Sequence, residues 1–496
     1  MVPSSKQGET SRKSNCKNTA FIAISIAISF WACLQYRIVA VTWTQVQTDM
    51  TNSLNSFYHQ STEQSQQKEI QFPKDNYQDP HTKGAQSEPA GPDSPVKLPS
   101  NSKPNLDSNT FSLCLLLKDD NDILNEWIAY HYHTLNLRYM IVALDPFSQT
   151  SPEPIFEKWR NLFGMTIEVW TDKDYMPDFF LQGKYDQVDS FIPQFVNQDQ
   201  SKSIWHTDTS NASQVEQDLI HINNHRFRQV TFVSHCFEVI KKNLPNHSVT
   251  DKKGKQQPDF QHWVGHIDTD EYIVINPLLR DNPNRTKLID IPNTPTSGSI
   301  LQFLMDLFEK YPKRLSRSCF MIPTVLFGAQ IHDDWTHRGG VINFTTTIDT
   351  DHWNAARFET LRWRIHADYS NIINGLQKAI LDLSHLPADH EIFQNHRIKS
   401  VHMPLDKGGT HGCRQMSLKP EIHAVRLFPL SINHYVGSRE RYLSRPDKRR
   451  NIEIYEGKAR VTGGVDDGWI RGWLPSFVQE HGLEKASQVL EEYRVS

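Results

Sequence analysis

Residues 111–144 read FSLCLLLKDDNDILNEWIAYHYHTLNLRYMIVAL, and this stretch decides the fold class. Phe111–Leu117 is an unbroken apolar run of strand length, followed by the charged exit loop Lys118–Asp122. Ile123, Leu124, Trp127, Ile128, His131 and Leu135 then recur at helical spacing behind an Asp and an Asn that suit an N-cap. Arg138–Leu144 returns to an apolar run and is closed by Asp145-Pro146. Strands buried on both faces read as continuous hydrophobic runs, so strand, helix and strand at this pitch predict an α/β fold with parallel strands. Working outward, Ser151-Pro152 opens a second helix and Met165–Trp170 is a third strand. Ligands of such sheets sit at the carboxyl ends of the strands, which puts Asp119, Asp145 and Asp172 on one rim.

Beyond the third strand, Asp174 to about Ile222 is a polar insertion, and His225–Asn243 is a helix with Phe227, Val230, Phe232, Val233, Cys236, Phe237 and Ile240 on its apolar side. Trp263–Ile267 is a fourth strand that runs into Asp268-Thr269-Asp270-Glu271, with a short strand, Tyr272–Ile275, behind it. Three acids in four positions at the end of a buried strand are costly to leave unpaired. Hard oxygen ligands suit Mn²⁺ or Mg²⁺, which complete their coordination with phosphate oxygens. Read as extended chain, Asp268 and Asp270 point to the same side and address one metal-diphosphate. A second D-x-D, Asp349-Thr350-Asp351, follows a run that alternates with polar residues like a solvent-facing strand, and is the weaker candidate.

The whole chain has 496 residues, too many for one compact domain. Lys+Arg 53 against Asp+Glu 57 leaves a net charge of −4, which provides no field for a nucleic-acid backbone. Six cysteines without a C-x-x-C pair exclude a zinc ribbon and a thioredoxin-type motif. Residues 20–41 are an apolar stretch, interrupted by Gln35-Tyr36-Arg37, behind the basic Lys6, Arg12, Lys13 and Lys17; a single-pass signal anchor is expected, with 1–19 in the cytosol and the rest in a secretory lumen, a cleaved signal peptide and a buried helix being the alternatives. Residues 42–110, dominated by Gln, Ser, Asn, Pro and charge, bury too little surface to order and are expected to be a flexible stem. In an oxidising lumen Cys114, Cys236, Cys319 and Cys413 allow three pairings. Sequons at Asn211, Asn246, Asn284 and Asn343 are compatible with that route.

Lys118–His131 (KDDNDILNEWIAYH) resembles the opening motif of glycosyltransferase family 92 and the related family-2-like glycosyltransferases. So do Asp145 after the second strand, the helix RFRQVTFVSHC (226–236), HIDTDEY (266–272) and NHYVGS (433–438), in matching order across about Phe111 to Asp447. The resemblance implies a GT-A fold over 111–450: a nucleotide-sugar half at about 111–276 with a Rossmann-like, mostly parallel sheet, then an acceptor half at 277–450. Residues 451–496 follow as a C-terminal extension. It implies a Mn²⁺- or Mg²⁺-dependent enzyme of the Golgi lumen that moves a sugar such as galactose from a UDP-sugar to a glycan or glycoprotein, with inversion. By position, Asp268, Asp270 and His434 are the implied metal ligands. Asp119, Asp145, Arg228 and Gln229, together with Asp268 and Asp270, are the implied nucleotide-sugar contacts.

The chemistry matches those residue types. Glycosyl transfer builds charge on a diphosphate leaving group, which a metal stabilises, and inversion needs a carboxylate base at the acceptor hydroxyl. Of Asp333 and Asp334, which precede the aromatic Trp335, Asp334 is the candidate base, with a turn-forming Asp as its ordinary reading and Asp351 and Glu359 open as other bases. Each residue has an ordinary alternative. Arg228 suits an ion pair with a rim carboxylate, Glu126 a buried cap or ion pair, and the basic run Arg439–Arg450 a solvated face. The rival functions are a catalytically inactive glycan-binding protein of the same fold, and a metallohydrolase using His221 and His225, whose spacing lacks the Glu of a H-E-x-x-H site. Neither a G-x-S-x-G elbow nor a P-loop is present.

Overall fold

The computed structural model describes residues 110–184, 187–188, 214–244, 248–250, 256–258, 261–280, 290–310, 318–329, 352–374, 377–387, 389–393, 398, 400–402, 404–405, 413, 429–444, 452–466 and 468–494. The chain divides into Met1–Leu98 and Pro99–Ser496, and every described residue belongs to the second unit. The expected anchor at 20–41 and the stem at 42–110, Thr110 excepted, lie outside the described residues, as do Asp334 and the second D-x-D. Among the described residues no helix is long and apolar enough to cross a membrane.

The fold is mixed α/β with mixed sheets. Strands β1 (Thr110–Leu117), β2 (Leu137–Leu144) and β3 (Thr166–Trp170) fall where the apolar runs place them. A small hairpin, β4 (Ser248–Thr250) and β5 (Gln256–Pro258), precedes β6 (His262–His266) and β7 (Glu271–Ile275). The later strands are β8 (Cys319–Ile322), β9 (Thr324–Phe327), β10 (Ile365–His366), β11 (Lys378–Asp382), β12 (Leu430–Tyr435) and β13 (Gly464–Val465). The larger sheet has the order β3-β2-β1-β6-β11-β8. Its first four strands are parallel, as expected, but β11 runs antiparallel to both β6 and β8. The second sheet, β13-β10-β9-β12-β7, is antiparallel apart from the β9–β12 pair. The sheets therefore do not divide at residue 276: β7 belongs to the second sheet, whereas β8 and β11 complete the first.

Two helical layers explain the continuous apolar runs. Phe111, Leu113, Leu115 and Leu117 share one core with Met140 and Val142, facing helices α1 (Asn121–Thr134), α2 (Glu153–Phe163) and α4 (Ser299–Lys310). Cys114, Tyr139, Ile141 and Ala143 point the other way, to α3 (Gln214–Asn243), as the period of two requires. Of the three possible pairings, the thiols adopt Cys114–Cys236, which ties β1 to α3, and Cys319–Cys413. Helices α5 (Arg439–Ser444) and α6 (Ile452–Ala459) follow β12, and α7 (Trp473–His481) and α8 (Leu483–Val489) close the chain. The segment expected as an extension is core: Trp473, Leu474, Phe477, Val489, Leu490 and Tyr493 are buried with α1 and α2.

Glu126 knits these parts together. Its fully buried carboxylate accepts the backbone N–H groups of Glu359 (2.7 Å) and Thr360 (2.9 Å) and the Thr360 hydroxyl (2.6 Å), so it caps the helical turn Glu359–Arg362. Thr360 Oγ1 also accepts from Trp473 Nε1 at 3.0 Å. Burial pushes the Glu126 carboxyl up from 4.5 to about 8, outweighing the Thr360 hydrogen bonds that favour its charge. A folded value above the unfolded one contributes stability that is complete below about pH 4.5 and is lost as pH rises through about 8. Chemical denaturation should therefore show the stability deficit of Glu126→Gln narrowing between those limits. Glu126→Ala, which strips the acceptor from two backbone N–H groups and a hydroxyl, should cost at least about 1–3 kcal/mol.

Candidate functional site

The carboxyl ends of the four parallel strands carry the acids that the sequence pattern put there, but much of their chemistry is spent on each other's loops. Asp119 adopts the left-handed region (φ 52°), which Asp tolerates better than most residues. Its Oδ1 accepts from Gln149 N (2.7 Å), Thr150 N (2.9 Å) and Thr150 Oγ1 (3.0 Å), stapling the β1 exit loop to the β2 exit loop. Asp120 stands at the N-cap of α1 without capping it. Its Oδ2 instead accepts the Thr269 hydroxyl at 2.6 Å, linking the first strand exit to the Asp268–Asp270 turn.

Asp145 is buried, accepts the Phe147 N–H at 2.9 Å and lies 3.9 Å from both Lys118 Nζ and His225 Nδ1. Burial works against its charge, yet His225, the Phe147 amide and Lys118 together hold its pKa below the usual carboxylate value. Arg228 makes the ion pair that its alternative reading allowed, to Asp172 at 2.8 Å, with its guanidinium 5.3 Å from the Phe180 ring centroid. Gln229 Nε2 lies 3.2 Å from His266 Nε2, and the other nitrogen of that ring is 2.8 Å from the Cys114 carbonyl. Arg228 and Gln229 thus brace the rim from α3.

The acid cluster itself is a turn rather than extended chain. Glu271 N–H donates to the Asp268 carbonyl at 3.0 Å, and Glu271 Oε2 accepts the Asp268 N–H at 2.8 Å. The expectation that alternation turns Asp268 and Asp270 to one side therefore does not apply here. The decisive partner is one that the sequence reading missed. Lys378, at the start of β11 and almost fully buried, places Nζ 2.9 Å from Asp268 Oδ2 and 3.2 Å from Glu271 Oε2. Desolvation of its inner side opposes the charge of Asp268, which is otherwise half exposed, and Lys378 outweighs it, holding that carboxyl well below its usual range. Burial acts the same way on Glu271 and prevails, pushing it up to about 8. The one available signal was a lysine set directly against the apolar run Ala379–Leu381, where a buried ammonium requires carboxylate partners.

His434 arrives from β12, whose antiparallel pairing with β7 sets it opposite Glu271. Its Nε2 lies 3.7 Å from Asp270 Oδ1, and the Asp270 carbonyl accepts the Tyr435 N–H at 2.9 Å. Burial lowers the His434 pKa against the pull of Asp270, which favours the neutral imidazole that a metal requires. An octahedral ion about 2.1 Å from both atoms needs them roughly 3.0 Å apart, so sharing one ion requires the pair to close by roughly 0.7 Å. Asp268 does not close a three-residue set with them. Among the described residues, the group of three His, Cys, Asp or Glu side chains whose ligand atoms all lie within 4.8 Å of one another is elsewhere, at His133, Glu480 and His481. Asp268 keeps 47% of its side chain exposed and is directed by Lys378. Of the basic run, Arg441 is not a solvated face: it pairs with Glu359 at 2.9 Å and reaches Asp122 at 3.6 Å.

No protein-family model matches the chain, and no curated protein matches it. The importance of Lys378 can be measured directly. Lys378→Met removes the hydrogen-bonded cation that Asp268 and Glu271 share, and chemical denaturation should show a loss of about 1–3 kcal/mol.

Proposed function

We propose that this chain is a metal-dependent glycosyltransferase of GT-A type, similar to family 92. On this reading it moves a hexose such as galactose from a UDP-sugar to a glycan or glycoprotein acceptor with inversion. It is held in the Golgi or another secretory lumen by the anchor at 20–41. The observation that carries the reading is the 3.7 Å approach of Asp270 Oδ1 and His434 Nε2, beside a rim of strand-end carboxylates. The two disulfides suit an oxidising compartment.

In this reading Asp270 and His434 hold the ion. A bound Mn²⁺ or Mg²⁺ supplies positive charge where the diphosphate leaves. Asp268, oriented by Lys378 and half exposed, faces the nucleotide-sugar rather than the metal. Asp145 contributes its buried carboxylate at the end of β2. Asp119 serves the site by fixing the loop that carries Asp120, and Arg228 and Gln229 support the wall behind it. Asp334 stays the candidate base for the acceptor hydroxyl. One observation favours the rival of an inactive glycan-binding protein: Lys378 already neutralises Asp268, which lowers the local demand for a cation.

Titration calorimetry separates the two. UDP binding should depend on Mn²⁺ and disappear with a chelator, and Asp270→Ala should weaken it at least tenfold. Equal metal-dependent affinity in the native chain and Asp270→Ala would remove the assignment.

A further inference from the structure

Helix α1 carries a second cluster at its far end, 13 residues and so roughly 20 Å along the axis from Asp120. His133 there is buried, and α7 ends above it in Glu480 and His481. His133 Nδ1 lies 3.4 Å from Glu480 Oε2, and His481 Nε2 lies 3.9 Å from Glu480 Oε1. One ligand atom from each of the three side chains falls within 4.8 Å of the other two.

We propose that His133, Glu480 and His481 form a zinc site that clips α7 to α1. Tetrahedral Zn²⁺ with ligands at about 2.0–2.1 Å needs ligand atoms roughly 3.3 Å apart, so the cluster reaches coordination geometry by closing at most roughly 1.5 Å. The ligand set, two imidazoles and a carboxylate, is borderline in softness and suits zinc better than Mg²⁺ or Ca²⁺. Glu480 is 40% exposed, so the site has an entry path and room for water as the fourth ligand.

Two further features point to a ligand rather than to ordinary packing. His133 Nδ1 and His481 Nε2 are both buried with no hydrogen-bond partner, although a carboxylate stands beside them. Such orphaned atoms are costly unless something occupies the space between them. The outer contacts are also those of a metal site. Ser476 Oγ lies 2.9 Å from His133 Nε2; with the ring hydrogen donated there, the Nδ1 lone pair faces the cluster. Ser297 Oγ donates to Glu480 Oε1 at 3.0 Å and fixes the carboxylate. Arg138 and Lys485 are nearby cations: the Arg138 guanidinium is engaged by the Tyr132 and Leu137 carbonyls at 2.9 Å, and Lys485 Nζ lies 4.3 Å from the Phe163 ring centroid. The aromatic rings of Phe163, Phe477 and Tyr132 pack around His481 at 4.7–5.8 Å between centroids and keep water from its apolar side.

The test uses the full chain without an affinity tag and carrying Asp270→Ala, so that the other candidate metal position is silent. The protein is loaded with Zn²⁺, freed of excess metal by gel filtration and assayed by mass spectrometry of the metal. One equivalent should stay bound, and adding Glu480→Gln or His481→Gln should remove it, with affinity falling at least 100-fold in competition with a chromophoric chelator. Ser476→Ala, which touches no ligand position, should weaken binding about tenfold by loosening His133. Glu480→Gln is the decisive variant because its side chain is largely outside the core. Retention of no zinc by the parent, or of one equivalent by both Glu480→Gln and His481→Gln, would overturn the proposal.

Discussion

The Lys378 ammonium is the constraint on which the rest of the site depends. It sits on β11 of the larger sheet and binds Asp268, at the end of β6, and Glu271, the first residue of β7. Between those two acids the chain leaves one sheet and enters the other. A single buried cation thus closes the turn that carries Asp270, while the Asp268 N–H and the Glu271 carboxylate close it from within. With the turn fixed, β12 needs only its normal antiparallel register against β7 to bring His434 within reach of Asp270. The cost of burying the ammonium is offset because the ionised Asp268 lies 2.9 Å away and the Glu271 carboxyl offers an acceptor at 3.2 Å.

The same arrangement redistributes the acid cluster's charge. Asp268 is kept ionised by Lys378, Glu271 is pushed toward its protonated form by burial, and Asp270 faces a neutral imidazole. Lys378 offsets the charge of Asp268, and Asp270 is the acid of the D-x-D pattern that lies beside a ring nitrogen. Arg441, held by Glu359 and Asp122, adds a positive group whose field reaches Asp270.

The sequence made some of this legible and concealed the rest for physical reasons. β1, α1 and β2 were readable because both faces of the strands are buried, which forces continuous apolar runs, and because Trp127, Ile128 and His131 keep helical spacing. The parallel order of the first four strands followed from that alternation. The antiparallel β11 did not, since its five residues, Lys378–Asp382, look like any short apolar run. Pairing between β6 and β11 is a contact across more than 100 residues, and no local pattern encodes it. Lys378 was missed for the same reason: its partners are distant in sequence. Asp119 and Arg228 were found at the rim, but only geometry separates a carboxylate that staples a loop, or a guanidinium paired with Asp172, from a ligand contact. The C-terminal Trp473, Phe477 and Tyr493 were underestimated because a core shared with α1 leaves no mark in a segment read by itself.

The central claim, that this arrangement transfers a sugar, is tested most directly by turnover. The purified chain is incubated with a panel of nucleotide-sugars and release of free nucleotide is followed, with Mn²⁺ or with a chelator. A UDP-hexose should be consumed only when metal is present, and faster when a glycan acceptor is added. No metal-dependent release from any nucleotide-sugar, with or without acceptor glycans, would contradict the claim.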